Sequence, residues 1–212
     1  MPSNRTRLSA RTLLPLFLAS GFAVLLLIVP MPGSLSVVGT RWLSAAGARV
    51  PGMELISEAG LAVLALTTAV VLVRTWLRRP DFRFRTGPAA VGVVLAYAAS
   101  EGLKIVFAQE RPCAAWSIAT ECPPPGDWSL PSNHATLAFG AVAVIALAAG
   151  RSWLTWSAIA LAGVVALARV AQGVHYVHDV AFGAVLGVAI PLLLVIAGEA
   201  RRGAQRSTEL PR

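Results

Sequence analysis

Six apolar runs punctuate the chain, at Thr12 to Val29, Leu55 to Leu77, Pro88 to Ala108, Ala135 to Gly150, Trp153 to Leu167 and Asp179 to Ala197. Polar segments separate them, and each run is near the roughly 20 residues that cross a hydrocarbon core as a helix. The pattern predicts an all-α, polytopic membrane helix bundle of about six transmembrane helices. The fourth and fifth runs are short and parted only by Arg151 and Ser152. They read as a tight helical hairpin, with a single re-entrant element as the alternative. Pro30, Met31, Pro32 and Gly33 read as the turn after the first run, because proline cannot continue a helix and glycine tolerates the reversal. With no repeat and no interior linker, residues 1–212 form one membrane-embedded domain in this reading, with 1–11 and 199–212 as flexible cytoplasmic tails.

Composition strengthens the membrane assignment: 56% of residues are hydrophobic and 13% charged, outside soluble usage. The net charge of +8, from 18 basic and 10 acidic residues, would suit nucleic acid if it were gathered on one surface. It is instead divided between loops. With both termini cytoplasmic, the inner segments hold Arg5, Arg7, Arg11, the cluster from Arg74 to Arg85, Arg151 and the arginines from Arg201 onward. The outer segments keep Arg41 and Arg49, besides Lys104, Arg111 and Arg169, which are assigned to chemistry below. This asymmetry follows the positive-inside rule, so the reading is a multi-pass membrane protein with no nucleic-acid partner. Arg5 to Arg11 before an apolar run also resembles a signal peptide, with Ser34 and Ser36 imitating a cleavage site; an uncleaved anchor is the preferred reading. Arg78 to Arg85 is read as an orientation signal rather than a lipid-head-group site.

The longest stretch without helical character, Gln109 to His134, falls on the outer side, and long loops of this kind commonly carry function. It contains both cysteines, Cys113 and Cys122. An extracytoplasmic location permits a disulfide, which is favoured over free thiols; two cysteines alone do not make a structural zinc site.

The ionisable residues converge on the same side. Lys104 and Arg111 leave the third run, Pro131-Ser132-Asn133-His134 opens the fourth, and Arg169, His175 and Asp179 lie between the fifth and sixth. A basic side chain within a span costs about 2.5–3.5 kcal/mol on insertion scales, and three clustered cations also repel one another. An anion resolves both problems, and two guanidinium forks with an ammonium suit a phosphoryl group. Ser132 and Asn133 are residue types that start helices; a helix N-terminus also presents free N–H groups to phosphate, and a histidine there can pass a proton to a leaving oxygen. His175 and Asp179 are four apart, one helical turn, so the carboxylate can orient the imidazole and leave its other nitrogen free to attack. His178 is read as packing or interface. Glu101, three residues before Lys104, either holds the lysine or sits at a wet mouth. Glu54 and Glu58 at the outer start of the second span reach a head group or water.

These segments resemble the type 2 phosphatidic acid phosphatase family, whose signatures are K-x6-RP, PSGH and SR-x5-H-x3-D. Lys104 to Pro112 matches the first in full; Pro131 to His134 matches the second with Asn133 in place of glycine; Ala168, Arg169, His175 and Asp179 match the third with alanine in place of serine. The resemblance spans about Leu55 to Ala197. It implies that His175 is a nucleophile forming a phosphohistidine, that Asp179 orients it, and that His134 is the general acid. It further implies that Lys104, Arg111, Ser132, Asn133 and Arg169 form the substrate-binding set, with Asn133 taking the turn of the missing glycine, and that no metal ion or other cofactor takes part. The expected substrate is a membrane lipid phosphate or diphosphate cleaved at the extracytoplasmic face, undecaprenyl diphosphate first, then phosphatidic acid or phosphatidylglycerol phosphate. Transfer of the phosphoryl group to an acceptor other than water is an alternative. A small transporter is another, although its charges would be expected near the midplane. The sequence leaves the oligomeric state open.

Overall fold

A computed structural model describes residues 10–27, 34–116 and 122–208. The helices, in chain order, are α1 (Ala10–Leu27), α2 (Leu35–Gly47), α3 (Met53–Arg78), α4 (Arg83–Phe107), α5 (Pro112–Ala115), α6 (Asn133–Ala149), α7 (Ser152–Ala171) and α8 (Val177–Thr208). A 3-10 turn at Pro80–Phe82 joins α3 to α4. Every regular element among the described residues is helical. Four stretches are long and apolar enough to cross a membrane: Met53–Arg78, Pro80–Ala115, Ser152–Ala171 and Val177–Gln205. Two separate helices, α6 and α7, turn at Gly150 and Arg151, which favours the hairpin over a single re-entrant element. The Pro30–Gly33 turn and the arginines at 5 and 7 lie outside the described residues.

Helix α6 is apolar on all sides, and a helix without a polar stripe belongs inside. It packs against α3, α4, α7 and α8, with Val142, Val144, Ile145 and Leu147 buried. The surrounding helices turn large apolar side chains outward, including Leu55, Leu66 and Leu77 on α3 and Val94 and Ile105 on α4. In water that surface would drive aggregation; in lipid it is the surface a helical bundle requires.

Because lipid tails are as apolar as leucine, helix association in a bilayer depends on close packing of small residues. Gly183 and Gly187, four apart on α8, lie against the first turns of α6. A Cβ added at Gly183 would stand 2.5 Å from the Ser132 carbonyl, and one at Gly187 would collide with the Thr136 carbonyl. This contact fixes the two helices that carry opposite sides of the polar cluster described below.

At the other end of the bundle, Arg85 on α4 donates to Glu199 on α8 at 2.7 Å, and the Arg202 guanidinium lies over Phe84. These contacts accompany a continuation of α8 to Thr208, where the sequence reading ends the span at Ala197 and expects a frayed tail from Glu199. Alanine, arginine and glutamine are good helix formers, so propensity and tertiary contact agree there.

The sequence reading assigns no element to the α2 stretch, and its pattern explains why. Ser36, Thr40, Ser44 and Gly47 are buried, while Leu35, Val38 and Trp42 are exposed, the reverse of the periodicity of a water-soluble helix. The inward polar groups have a use. Thr40 Oγ1 accepts from Val177 N at 3.1 Å and Ser36 Oγ from His178 N at 3.1 Å, so α2 satisfies donors at the start of α8, whose preceding residue, Tyr176, cannot cap.

Candidate active site

Helix α4 stops at Phe107 because Ala108 takes a left-handed conformation, φ 43°, and returns its N–H to the Lys104 carbonyl at 2.9 Å. A non-glycine residue there costs about 1–2 kcal/mol, and the reversal carries Gln109 to Arg111 back across the end of the bundle. The Cys113–Cys122 disulfide closes the loop after it, and Cys113 N donates to the Gly173 carbonyl at 2.9 Å. The loop is thereby fastened to the α7–α8 turn, where Gly173 itself needs a positive φ, 73°.

His175 sits in that turn, 2% exposed at its side chain. Its Nδ1 donates to the Ser129 carbonyl at 2.8 Å, and its Nε2 accepts from Arg111 Nη1 at 3.3 Å. Arginine has no acceptor and a carbonyl no donor, so the two neighbours together dictate the tautomer: proton on Nδ1, lone pair on Nε2. Burial first, then the charges of Arg111, Arg169 and Lys104, push the imidazole well below its ordinary pKa, against a smaller opposing effect of the Ser129 hydrogen bond. The group is therefore a neutral base with its lone pair turned toward cations.

Asp179 lies on the same side of the ring, with Oδ2 at 3.5 Å from Nδ1. The direct one-turn pairing expected from the spacing is thus weakened, because His175 precedes α8 and the nearer acceptor is a backbone carbonyl. The carboxylate is fully buried and otherwise committed: Oδ2 accepts from Tyr176 N at 2.7 Å and Oδ1 from Gln109 Nε2 at 2.9 Å. The first bond is the return half of a capping box at the start of α8.

Arg111 is buried and uses its whole fork. Nε donates to the Asp127 carbonyl at 2.8 Å, Nη2 to Asp127 Oδ1 at 2.9 Å, and Nη1 to the Val174 carbonyl at 2.9 Å as well as to His175. Asp127 Oδ1 also lies 3.6 Å from Lys104 Nζ. Burial raises the Asp127 carboxyl, but the hydrogen bond and charge of Arg111, with Lys104, outweigh it and hold the group below the usual carboxylate value. Arg169 differs from both. Nη1 donates to Gln172 Oε1 at 3.0 Å, while Nε is buried without a partner. A buried, unsatisfied guanidinium N–H is costly, and among the described side chains it is the orphaned donor of the molecule.

Ser132 caps α6, its Oγ accepting from Ala135 N at 3.5 Å, and its own N–H donates to the Asp179 carbonyl at 3.1 Å. Asn133 needs no special turn. It is the first residue of α6, and its amide is absorbed by α4: Oδ1 accepts from Ser100 Oγ at 2.8 Å, and Nδ2 donates to Glu101 Oε1. Glu101 in turn pairs with Lys104 at 3.2 Å. His134 follows, with Nε2 2.7 Å from Glu58 Oε1 on α3.

The structure brings Lys104, Arg111, Ser132, Asn133, His134, Arg169, His175 and Asp179 to one end of the bundle. Of these, the Asn133 side chain braces α6 against α4 rather than facing His175. His178 is packed, stacked on Tyr176 and bonded to Ser36 and Gln109. Three contributors escaped the sequence reading. Gln109 holds Asp179, Ser129 and His178 together; it sits inside the K-x6-RP interval, where no type is specified. Ser129 acts through its carbonyl, which no side chain announces. Asp127 is an ordinary loop aspartate except for its position between a glycine and a tryptophan.

The sequence pattern of the PAP2 superfamily matches residues 85–202. The chain is 32% identical over 147 residues to decaprenylphosphoryl-5-phosphoribose phosphatase of Mycobacterium tuberculosis, strain CDC 1551 / Oshkosh, covering 69% of this chain and 76% of the relative. The protein of the same name from strain ATCC 25618 / H37Rv matches equally. No solved structure gives a significant match.

Proposed function

Because the chain belongs to the PAP2 superfamily and is a phosphatase, we propose that it hydrolyses a prenyl-linked lipid phosphate or diphosphate through a phosphohistidine at His175. The observation that carries this reading is the state of that residue: a buried, neutral imidazole whose Nε2 lone pair points at Arg111 beside two further cations. In the first step Nε2 attacks phosphorus, the bond from phosphorus to the leaving oxygen breaks, and His134 supplies a proton to that oxygen. Water then attacks phosphorus, its proton goes to His134, and the P–N bond returns its electron pair to His175. Arg111, Lys104, Ser132 and the unpartnered Nε of Arg169 receive the phosphate oxygens.

The substrate class rests on two supports. The sequence reading puts undecaprenyl diphosphate first, and the relatives are named for a decaprenyl-linked phosphoribose; a polyprenyl carrier is common to both. The arginine distribution supports six spans, both termini in the cytoplasm and the site at the outer face of the bacterial membrane. Phosphate release by the detergent-purified protein in EDTA tests the reading. The substrates are undecaprenyl diphosphate, decaprenylphosphoryl-5-phosphoribose, phosphatidic acid and phosphatidylglycerol phosphate, each beside His175→Ala. The expected result is release from the prenyl substrates, lost in the variant, with an acid-labile phosphoprotein trapped in wild type. Preference for a glycerolipid would overturn the substrate class, and phosphate appearing only on an added alcohol would favour transfer.

A further inference from the structure

We infer that Glu58 is the positioning residue of His134, holding it as the proton donor to the leaving group; this rests on the phosphohistidine reading above. Glu58 stands on α3, outside the residues 85–202 matched by the family pattern, yet its Oε1 lies 2.7 Å from His134 Nε2. The other ring nitrogen, Nδ1, has no protein partner among the described residues. A carboxylate on Nε2 therefore selects both the ring orientation and the nitrogen that faces the substrate.

The placement is braced. Gln172, buried at the end of α7, donates from Nε2 to the Met53 carbonyl at 2.9 Å and to Ser57 Oγ at 3.1 Å, while its Oε1 accepts from Arg169. One side chain thus fixes the α3 turn carrying Glu58 and the guanidinium proposed to bind phosphate. The charged groups bearing on His134 are Glu58 from α3, Arg169 from α7 and Lys104 from α4. Burial and the two cations oppose an imidazolium and together outweigh Glu58, which is the one charged neighbour of the three that favours a second proton on His134.

The proton account is complete without another reactant. Imidazolium His134 keeps Nε2–H on Glu58 and gives the Nδ1 proton to the leaving oxygen as the phosphorus–oxygen bond breaks. Neutral Nδ1 then takes a proton from the attacking water. Glu58 itself never changes protonation, which separates it from a second general acid.

The test compares two leaving groups on the same enzyme. Cleavage of the 5-phosphate of decaprenylphosphoryl-5-phosphoribose expels the ribose oxygen as an alkoxide that needs the proton, whereas p-nitrophenyl phosphate expels a stabilised phenolate that needs it little. Glu58→Gln is expected to lower kcat on the prenyl substrate about 10- to 100-fold, within the range of general acid catalysis, with KM nearly constant. The same variant should lose far less on the aryl ester, and Glu58→Asp should recover part of the loss. Combining Glu58→Gln with His134→Ala should cost no more than His134→Ala alone. Equal losses on both substrates would make Glu58 merely structural, and a lower KM without loss of kcat would make it an occupant of the phosphate site; either overturns the inference. His175→Ala should abolish both activities. A wild-type protein inactive on both substrates would overturn the underlying mechanism, a result distinct from an active wild type indifferent to Glu58.

Discussion

Gly183→Ala probes whether the helix contact sets the geometry of the chemistry. The added methyl would lie 2.5 Å from the Ser132 carbonyl, 3.0 Å from Thr136 Oγ1 and 3.1 Å from Thr136 N. Ordinary carbon–oxygen contact begins near 3.4 Å, so α6 and α8 must part by about 1 Å, and the atoms in the way are backbone that cannot swing aside. Overpacking of this kind costs about 1–3 kcal/mol of stability. The larger effect is catalytic. Ser132 and His134 ride on α6, Asp179 rides on α8, and Ser132 N is bonded to the Asp179 carbonyl across the gap. Displacement by about 1 Å in a pre-organised site costs on the order of 100-fold in rate.

The assay is initial phosphate release in detergent beside thermal unfolding followed by tryptophan fluorescence. Gly198→Ala on the same helix, with no atom within 4 Å of the added Cβ, is the control and should keep its rate. Gly183→Ala should unfold earlier yet remain folded at the assay temperature, with kcat down about 100-fold. A wild-type rate would refute the argument, as would a rate that falls only with the folded fraction.

Gln109→Leu leaves the Asp179 carboxylate, His178 Nε2 and Ser129 Oγ short of a partner. At about 1–3 kcal/mol for an unsatisfied buried group and more for a charge, the melting temperature should drop measurably and kcat with it. For His175, whose folded pKa lies well below its ordinary value, the unfolded chain binds the proton that the folded site refuses. Stability from this group is full above about pH 6.5, and it is lost as the pH falls from there toward the depressed folded value; a His175→Asn protein should show a shallower loss of melting temperature across that window. Reducing the Cys113–Cys122 bridge, which closes a loop of separation 9, should cost about 2.5 kcal/mol by loop entropy. Because that loop is tied to Gly173, reduction should also raise KM for the lipid phosphate, measured with and without dithiothreitol.

The helical class was legible because hydrophobic runs of bilayer length have few other solutions. The convergence of Lys104, Arg111, His134, Arg169, His175 and Asp179 was legible because charges are costly in lipid, and their spacing pointed to one end. What escaped lies where the sequence carries no period. Helix α2 turns serine and threonine inward, so its stripe looks like a loop. Ser129 contributes only a carbonyl. Glu58 was visible as a carboxylate at the outer start of a span, but its partner is 76 residues away, and only packing of α3 against α6 joins them. Asn133 was read as a substitute for glycine in a turn, whereas its amide is used to join α6 to α4, a contact that glycine could not make.

A cluster proposed to hold phosphate must also survive without it. Asp127 serves Arg111 and Lys104, Glu101 serves Lys104 and Asn133, and Glu58 serves His134. Asp127 and Glu101, whose partners include the proposed phosphate-binding cations, are about half exposed at their side chains, 43% and 48%, so each can return to water with little desolvation when an anion takes its partner, while Glu58 stays on His134. Such half-exposed pairs contribute little to stability, about 0–1 kcal/mol each, and a low exchange cost is what a turnover site requires. Arg169 alone among the three cations has a buried donor with nothing to exchange. In the proposed mechanism it is therefore the group whose hydrogen bonding improves outright when phosphate arrives, and truncating it should weaken phosphate binding more than truncating Lys104, whose ammonium already has two carboxylates.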